Sequence, residues 1–129
     1  MTSLITLEEI KAARDALPDV IRRTPILPLS RDSAEVGQEK LFLKAENLQV
    51  TGAYKVRAAF TMMNAIEPER LKNGLVLTSS GNFAQGFAYA GARRGVKVVV
   101  VMLDHTSPYK IQGTEGYGAE VFLCGTDAS

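Results

Sequence analysis

The sequence predicts an α/β domain, a parallel open sheet covered by helices. Three observations carry this. Strand-like and helix-like segments alternate behind a first helix, in the order β-α-β-α-β-α-β. The segment Val98-Val99-Val100-Val101-Met102 is apolar throughout instead of alternating, as a strand buried on both faces would be. The strands are joined by helices, which is how parallel neighbours must be connected, and such crossovers are right-handed.

The elements follow from local chemistry. Thr6-Leu7-Glu8-Glu9 has the spacing of a capping box, with each side chain able to satisfy an N–H at the helix start. Ile10, Ala13 and Leu17 then recur on one helical face, and Pro18 closes the helix. Arg23-Thr24-Pro25-Ile26 reads as extended, because the residue before proline avoids the α region. Leu41 to Glu46 is a strand, and Asn47 to Gly52 is a polar loop. From Ala53 the period changes. Val56, Phe60 and Met63 share one stripe, flanked by Ala59 and Ile66, which predicts an amphipathic helix ending before Pro68. Leu75 to Thr78 is a short apolar strand, and Ser79-Ser80-Gly81-Asn82 has turn and cap chemistry. Phe83, Phe87 and Ala90 mark the next helix, which ends at Arg93-Arg94-Gly95 with cations and a glycine. After the Val98–Met102 strand, Ser107-Pro108 opens a short helix as cap and first residue, stopping near Gly116 to Gly118. Ala119 to Leu123 is the last strand.

The sequence stops at Gly125-Thr126-Asp127-Ala128-Ser129, directly after that strand, where a parallel sheet needs a helix over its face. The expectation is a truncated domain: an N-terminal helix and extended arm in residues 1–40, and an incomplete α/β domain in residues 41–129. There is no internal repeat, low-complexity tract or linker.

Composition narrows the chemistry. With 15 basic and 14 acidic residues the net charge is +1, so no bulk field draws the chain to nucleic acid or an anionic membrane. One cysteine, Cys124, allows no internal disulfide, and with one histidine, His105, no zinc site of Cys and His ligands fits in one chain. A Ser-His-Asp triad would have to use His105, which reads as a loop residue without a functional role. Cys124 reads as a small buried hydrophobe. The longest apolar run, Val98 to Leu103, is too short to span a bilayer, and the N-terminus lacks a signal peptide's basic start and apolar core. A cytoplasmic protein is expected. The glycine fingerprint of dinucleotide-binding domains, the phosphate loop with its Lys-Ser/Thr pair and the Gly-x-Ser-x-Gly elbow are all absent. Those absences disfavour a nucleotide-binding α/β domain.

Two motifs remain. In Thr51-Gly52-Ala53-Tyr54-Lys55-Val56-Arg57 a loop becomes a helix, and Lys55 falls in the first turn. Helix polarity there disfavours a cation, which helps the amine toward the neutral form that Schiff-base chemistry needs. A solvated helix lysine satisfies the same spacing. Ser79-Ser80-Gly81-Asn82-Phe83-Ala84-Gln85-Gly86 joins a strand to a helix start, where free N–H groups and the helix dipole suit a carboxylate or phosphate. An ordinary capped turn satisfies that pattern too. Both loops are expected at the C-terminal ends of parallel strands, the edge where open α/β sheets bind ligands.

The stretch Lys44-Ala45-Glu46-Asn47-Leu48-Gln49-Val50-Thr51-Gly52-Ala53-Tyr54-Lys55-Val56-Arg57-Ala58-Ala59 resembles the cofactor-lysine segment of threonine and serine dehydratases. These are pyridoxal-phosphate enzymes of the tryptophan synthase β family (fold type II). Ser79 to Gly86 is similar to that family's Asn loop, Arg23-Thr24-Pro25 to its entry, and Gly118-Ala119-Glu120-Val121 to the strand after its third crossover helix. The match runs in order from about Thr6 to Gly125 and implies the family's small domain.

The resemblance implies roles. Lys55 matches the lysine that joins the cofactor covalently and takes the substrate α-proton. Asn82 matches the asparagine that bonds the cofactor's 3-hydroxyl, and Tyr54 matches an aromatic position beside the lysine. Ser79, Ser80, Gly81, Asn82 and Gln85 match the loop that holds the substrate carboxylate. The implied reaction deaminates threonine or serine to a 2-oxo acid and ammonia. Ser80 stands where many dehydratases have alanine and racemase-like members have a serine that acts opposite the lysine. A serine racemase or a hydroxyaspartate dehydratase of the same fold is therefore the alternative, and a non-catalytic remnant is a third reading. Ala53, Ala58 and Phe83 depart from the family's usual serine, glycine and histidine, which bears on substrate preference. The family's glycine-rich phosphate loop and its pyridine-nitrogen partner have no counterpart in this sequence. The expectation is that these 129 residues alone bind the cofactor weakly and turn over nothing. The parent enzyme is expected to be a homo-oligomer.

Overall fold

The computed structural model describes residues 4–29 and 41–126. Helix α1 is Leu7–Asp15. Strands β1 (Ile26–Pro28) and β2 (Phe42–Lys44) pair antiparallel, with Ile26 opposite Lys44. A 3₁₀ turn, Glu46–Leu48, precedes α2 (Lys55–Asn64) and a short α3 (Pro68–Leu71). Then come β3 (Leu75–Thr78), α4 (Asn82–Arg94), β4 (Val98–Met102), α5 (Pro108–Glu115) and β5 (Glu120–Leu123). Strands β3, β4 and β5 form a parallel sheet in that order, with Leu75 opposite Val98 and Val100 opposite Val121.

The expected parallel sheet is thus present with three strands. The first strand of the expected series, Leu41 to Glu46, does not join it. Its middle forms β2, and β2 is taken by β1, because the extended Arg23–Ile26 entry runs on into a strand. Helices α2 and α3 also lie between β2 and β3, so a helical connection alone does not bring β2 into the sheet; its pairing is with β1.

The stripe expected for α2 is the observed one: Val56, Ala59, Phe60 and Met63 are buried. They pack against α4, whose Ala84, Phe87, Ala88 and Ala90 are buried in the same core, and α4 in turn lies on Val98, Val100 and Met102 of β4. The two helices and the sheet therefore stack as layers. Helix α4 ends as its sequence demands, with Arg93 and Arg94 in the last turn and Gly95 left-handed at φ 65°. Pro68 opens α3, an element that sequence patterning does not predict.

Three expectations are corrected. β4 is not buried on both faces: Val98, Val100 and Met102 are buried while Val99 and Val101 are only partly covered. The register puts Val76 and Phe122 on that second face, 73% and 52% exposed. α1 buries none of its residues, and Ile10 is 56% exposed. The capping box is formed, with Thr6 N donating to Glu9 Oε2 at 2.7 Å. Contact with the core begins after the helix, at Leu17, Val20 and Ile21. Cys124 is exposed, not buried, because it follows β5 at the edge of the sheet.

Candidate functional site

Lys55 is the first residue of α2, as its motif predicts. The loop before it is fastened from both sides. Gln49 is buried; its Oε1 accepts from the N–H groups of Arg22 and Val50 at 3.0 Å each, and its Nε2 donates to Arg22 O at 3.0 Å. Gly52 takes φ 69°, a left-handed turn that suits glycine, and buried Thr51 donates its hydroxyl to Ala53 O at 3.4 Å.

Further along α2, Arg57 forks onto Glu46. Nε donates to Oε2 and Nη2 to Oε1, both at 2.9 Å, and Nη2 also reaches Arg22 O at 2.9 Å. Glu46 accepts the Thr24 hydroxyl as well, and Lys44 Nζ stands 3.9 Å away. The Arg57 hydrogen bonds, then Thr24 and the nearby cations, hold the Glu46 carboxyl down at about 2 against the opposing effect of burial. This clasp ties the N-terminal arm to both ends of the lysine segment. Sequence patterning assigns no role to Glu46, Gln49 or Arg57. For Glu46 and Arg57 the signal is one of opposite charge, and it becomes a contact only in the folded chain.

The other motif lies against Lys55 from the opposite side. Lys55 Nζ is 4.9 Å from the Tyr54 ring centre and 5.9 Å from that of Phe83, in the first turn of α4. The Phe83 ring is itself backed by Phe87 at 4.8 Å. Among the described residues Lys55 has no carboxylate partner and no side-chain hydrogen bond. The two aromatic rings contact the amine, and no carboxylate among the described residues is tied to it.

Gly86 explains how the two motifs meet. A Cβ there would lie 3.1 Å from the Lys55 carbonyl carbon and from Val56 N and Cα. Only glycine lets α4 come this close to the start of α2 without displacement. The expected meeting point, two loops on neighbouring parallel strands, is corrected here. The Ser79 loop does follow β3 of the parallel sheet, whereas the lysine segment follows β2 of the separate ribbon. Helix packing brings the two together.

At the start of α4 the cap position falls to Gly81, with no side-chain cap. Asn82 opens the helix and is exposed. Ser79 Oγ accepts from Gly81 N at 3.4 Å, and Ser80 Oγ accepts from the Thr106 hydroxyl at 3.0 Å. The capping role open to Ser80 is therefore not the one taken, since the helix begins too late for it. First-turn N–H groups without a side-chain cap are suited to an anion. Gly81 has a negative φ of −144°, and a Cβ on it would meet nothing within 4 Å. Neither backbone strain nor a neighbour among the described residues demands glycine there, and the missing side chain leaves the helix start open. Gln85 is half-buried with its amide against α5, where a Cβ on Gly113 would sit 3.0 Å from Nε2. His105 is exposed in the turn after β4, and no cluster of three metal-ligating side chains occurs among the described residues. No described helix is long and apolar enough to cross a membrane.

Known proteins are similar to this chain in sequence and fold. The family described as "Pyridoxal-phosphate dependent enzyme" matches residues 17–129. The Staphylococcus aureus protein "L-threonine dehydratase catabolic TdcB" is 35% identical over 122 residues, covering 95% of this chain and 35% of that protein. Among solved structures, a threonine deaminase from T.th. superposes with a TM-score of 0.81 at 41% identity, over 96% of this chain and 38% of its own. Maize serine racemase superposes with a TM-score of 0.86 at 30% identity, over 95% of this chain and 37% of its own. The chain spans about a third of the length of the curated relatives it matches.

Proposed function

The chain belongs to the pyridoxal-phosphate dependent enzyme family, and from that premise we propose that it forms the lysine-bearing part of a threonine/serine dehydratase. One observation carries the proposal. A lysine with no counter-ion among the described residues and an uncapped helix start with an open glycine are held side by side through Gly86.

The residues fit pyridoxal phosphate by their chemistry. Lys55 supplies an amine for its aldehyde, Tyr54 flanks that amine, and Asn82 offers an amide to the ring hydroxyl. When bound, the cofactor supplies an electron sink for the charge left when the α-proton departs. The protein's part is orientation and proton handling. Ser79, Ser80, Gly81 and Gln85 hold the substrate carboxylate at the start of α4, where the helix dipole favours an anion. Lys55 Nζ then carries the α-proton, the β-hydroxyl leaves with a proton as water, and the unsaturated amine that is released is hydrolysed by water to the 2-oxo acid and ammonia.

A second reading, a serine racemase, is favoured by Ser80. Its hydroxyl is not consumed in capping and is free to handle a proton. The division of the chain into an arm and an α/β domain at about residue 40 is proposed on the same footing, as are the homo-oligomeric state of the complete enzyme and its cytoplasmic location.

The test is direct. The full-length protein, loaded with cofactor, is expected to release ammonia and 2-oxo acid from L-threonine or L-serine. Lys55→Ala is expected to lower kcat by at least about 10³-fold, since the proton carrier is gone. Residues 1–129 alone are expected to bind the cofactor weakly and release no ammonia. Turnover by the Lys55→Ala protein at the wild-type rate would contradict the assignment.

A further inference from the structure

We propose that Thr106 is a positioning residue for Ser80. Thr106 lies beyond β4, and its N–H donates to Leu103 O at 2.9 Å, closing a turn. Ser79 N donates to Val101 O at 3.3 Å, which extends the β3–β4 pairing by one residue and sets the two loops side by side. The Thr106 hydroxyl then donates to Ser80 Oγ at 3.0 Å, with both residues half-buried. A serine hydroxyl has two acceptor sites and one proton. Thr106 occupies an acceptor site and leaves the Ser80 proton to be given elsewhere.

The inference rests on the reading that Ser80 handles a proton at the substrate. The transfer balances with the groups present. Lys55 Nζ takes the α-proton, and the Ser80 O–H bond breaks as its proton forms the new bond to the α-carbon. The Thr106 donor holds the oxygen left negative, which stabilises it until the proton taken up by Lys55 is released to water and an equivalent proton returns through water to Oγ, leaving both groups as they began. Without that donor Ser80 loses both its fixed orientation and this stabilisation.

The experiment compares Thr106→Val, Thr106→Ser and Ser80→Ala in the cofactor-loaded full-length protein, with L-serine as substrate. D-serine formed per 2-oxo acid is expected to fall about tenfold in Thr106→Val, the value of one hydrogen bond at the upper end of its range. It is expected to return close to wild type in Thr106→Ser. A second readout does not depend on activity. Thermal midpoints of the two single variants and of Thr106→Val with Ser80→Ala are expected to be non-additive, as for contacting residues. An unchanged product ratio in an active Thr106→Val protein would overturn the positioning role, as would additive midpoints. A wild type that binds cofactor and forms neither product would overturn the proposed function itself, and the Ser80 role with it.

Discussion

Lys55 is held by two regions built on opposite principles. On one side is the polar clasp, in which Thr24, Glu46, Gln49 and Arg57 tie the arm to the lysine segment by directed hydrogen bonds. On the other is the apolar stack, in which Val56, Phe60 and Met63 of α2 bury themselves against α4 and the sheet. The clasp draws its value from geometry, because a partly buried charge must keep its partners. The stack draws its value from area removed from water and from close packing. The lysine's backbone is common to both: its carbonyl carbon touches the space over Gly86 and its loop hangs from Gln49. Fastening from both sides fixes the backbone that carries the amine and draws no charged partner for it from the described residues.

The regions are expected to break differently. The largest effect falls in the stack. Phe60→Ala, at a side chain only 2% exposed, is expected to cost about 3–5 kcal/mol, read as a lower urea midpoint. In the clasp, Glu46→Gln is expected to cost about 2 kcal/mol, the value of charge-assisted hydrogen bonds lost to Arg57. The clasp should also show in the pH dependence of stability. The Glu46 carboxyl sits at about 2 in the folded chain against an ordinary 4.5, so its contribution is complete above 4.5 and fades as the pH falls toward 2. Acid titration of wild type against Glu46→Gln is expected to show that slope only in the wild type. Gly86→Ala, which crowds backbone at 3.1 Å, is expected to cost about 1–3 kcal/mol and to weaken cofactor binding. The smallest effect is at Cys124. Because it is exposed, Cys124→Ser is expected to change stability by less than about 0.5 kcal/mol.

The stack is legible in the sequence because periodicity records it. Val56, Phe60 and Met63 at helical spacing, and Leu75 to Thr78 as a short apolar run, name their own elements. Lys55 at a helix start and Asn82 at another are legible for the same reason, since caps and first turns are local. The clasp is not. Arg57 lies 11 residues from Glu46 and 35 from Arg22, and nothing local marks them as partners. β2 misleads because a three-residue strand carries no record of its partner, and β1 claims it. Sequence offers Ser80 only its nearest N–H groups, while its actual donor, Thr106, is 26 residues away.

The central claim is that Lys55, held between clasp and stack, is the residue that joins the cofactor. The most direct test is to load the full-length protein with pyridoxal phosphate, reduce it with borohydride, digest it and locate the pyridoxyl group by mass spectrometry. A single modified lysine is expected, in the peptide containing Tyr54-Lys55-Val56. Modification confined to a different lysine, such as Lys44 or Lys110, would contradict it.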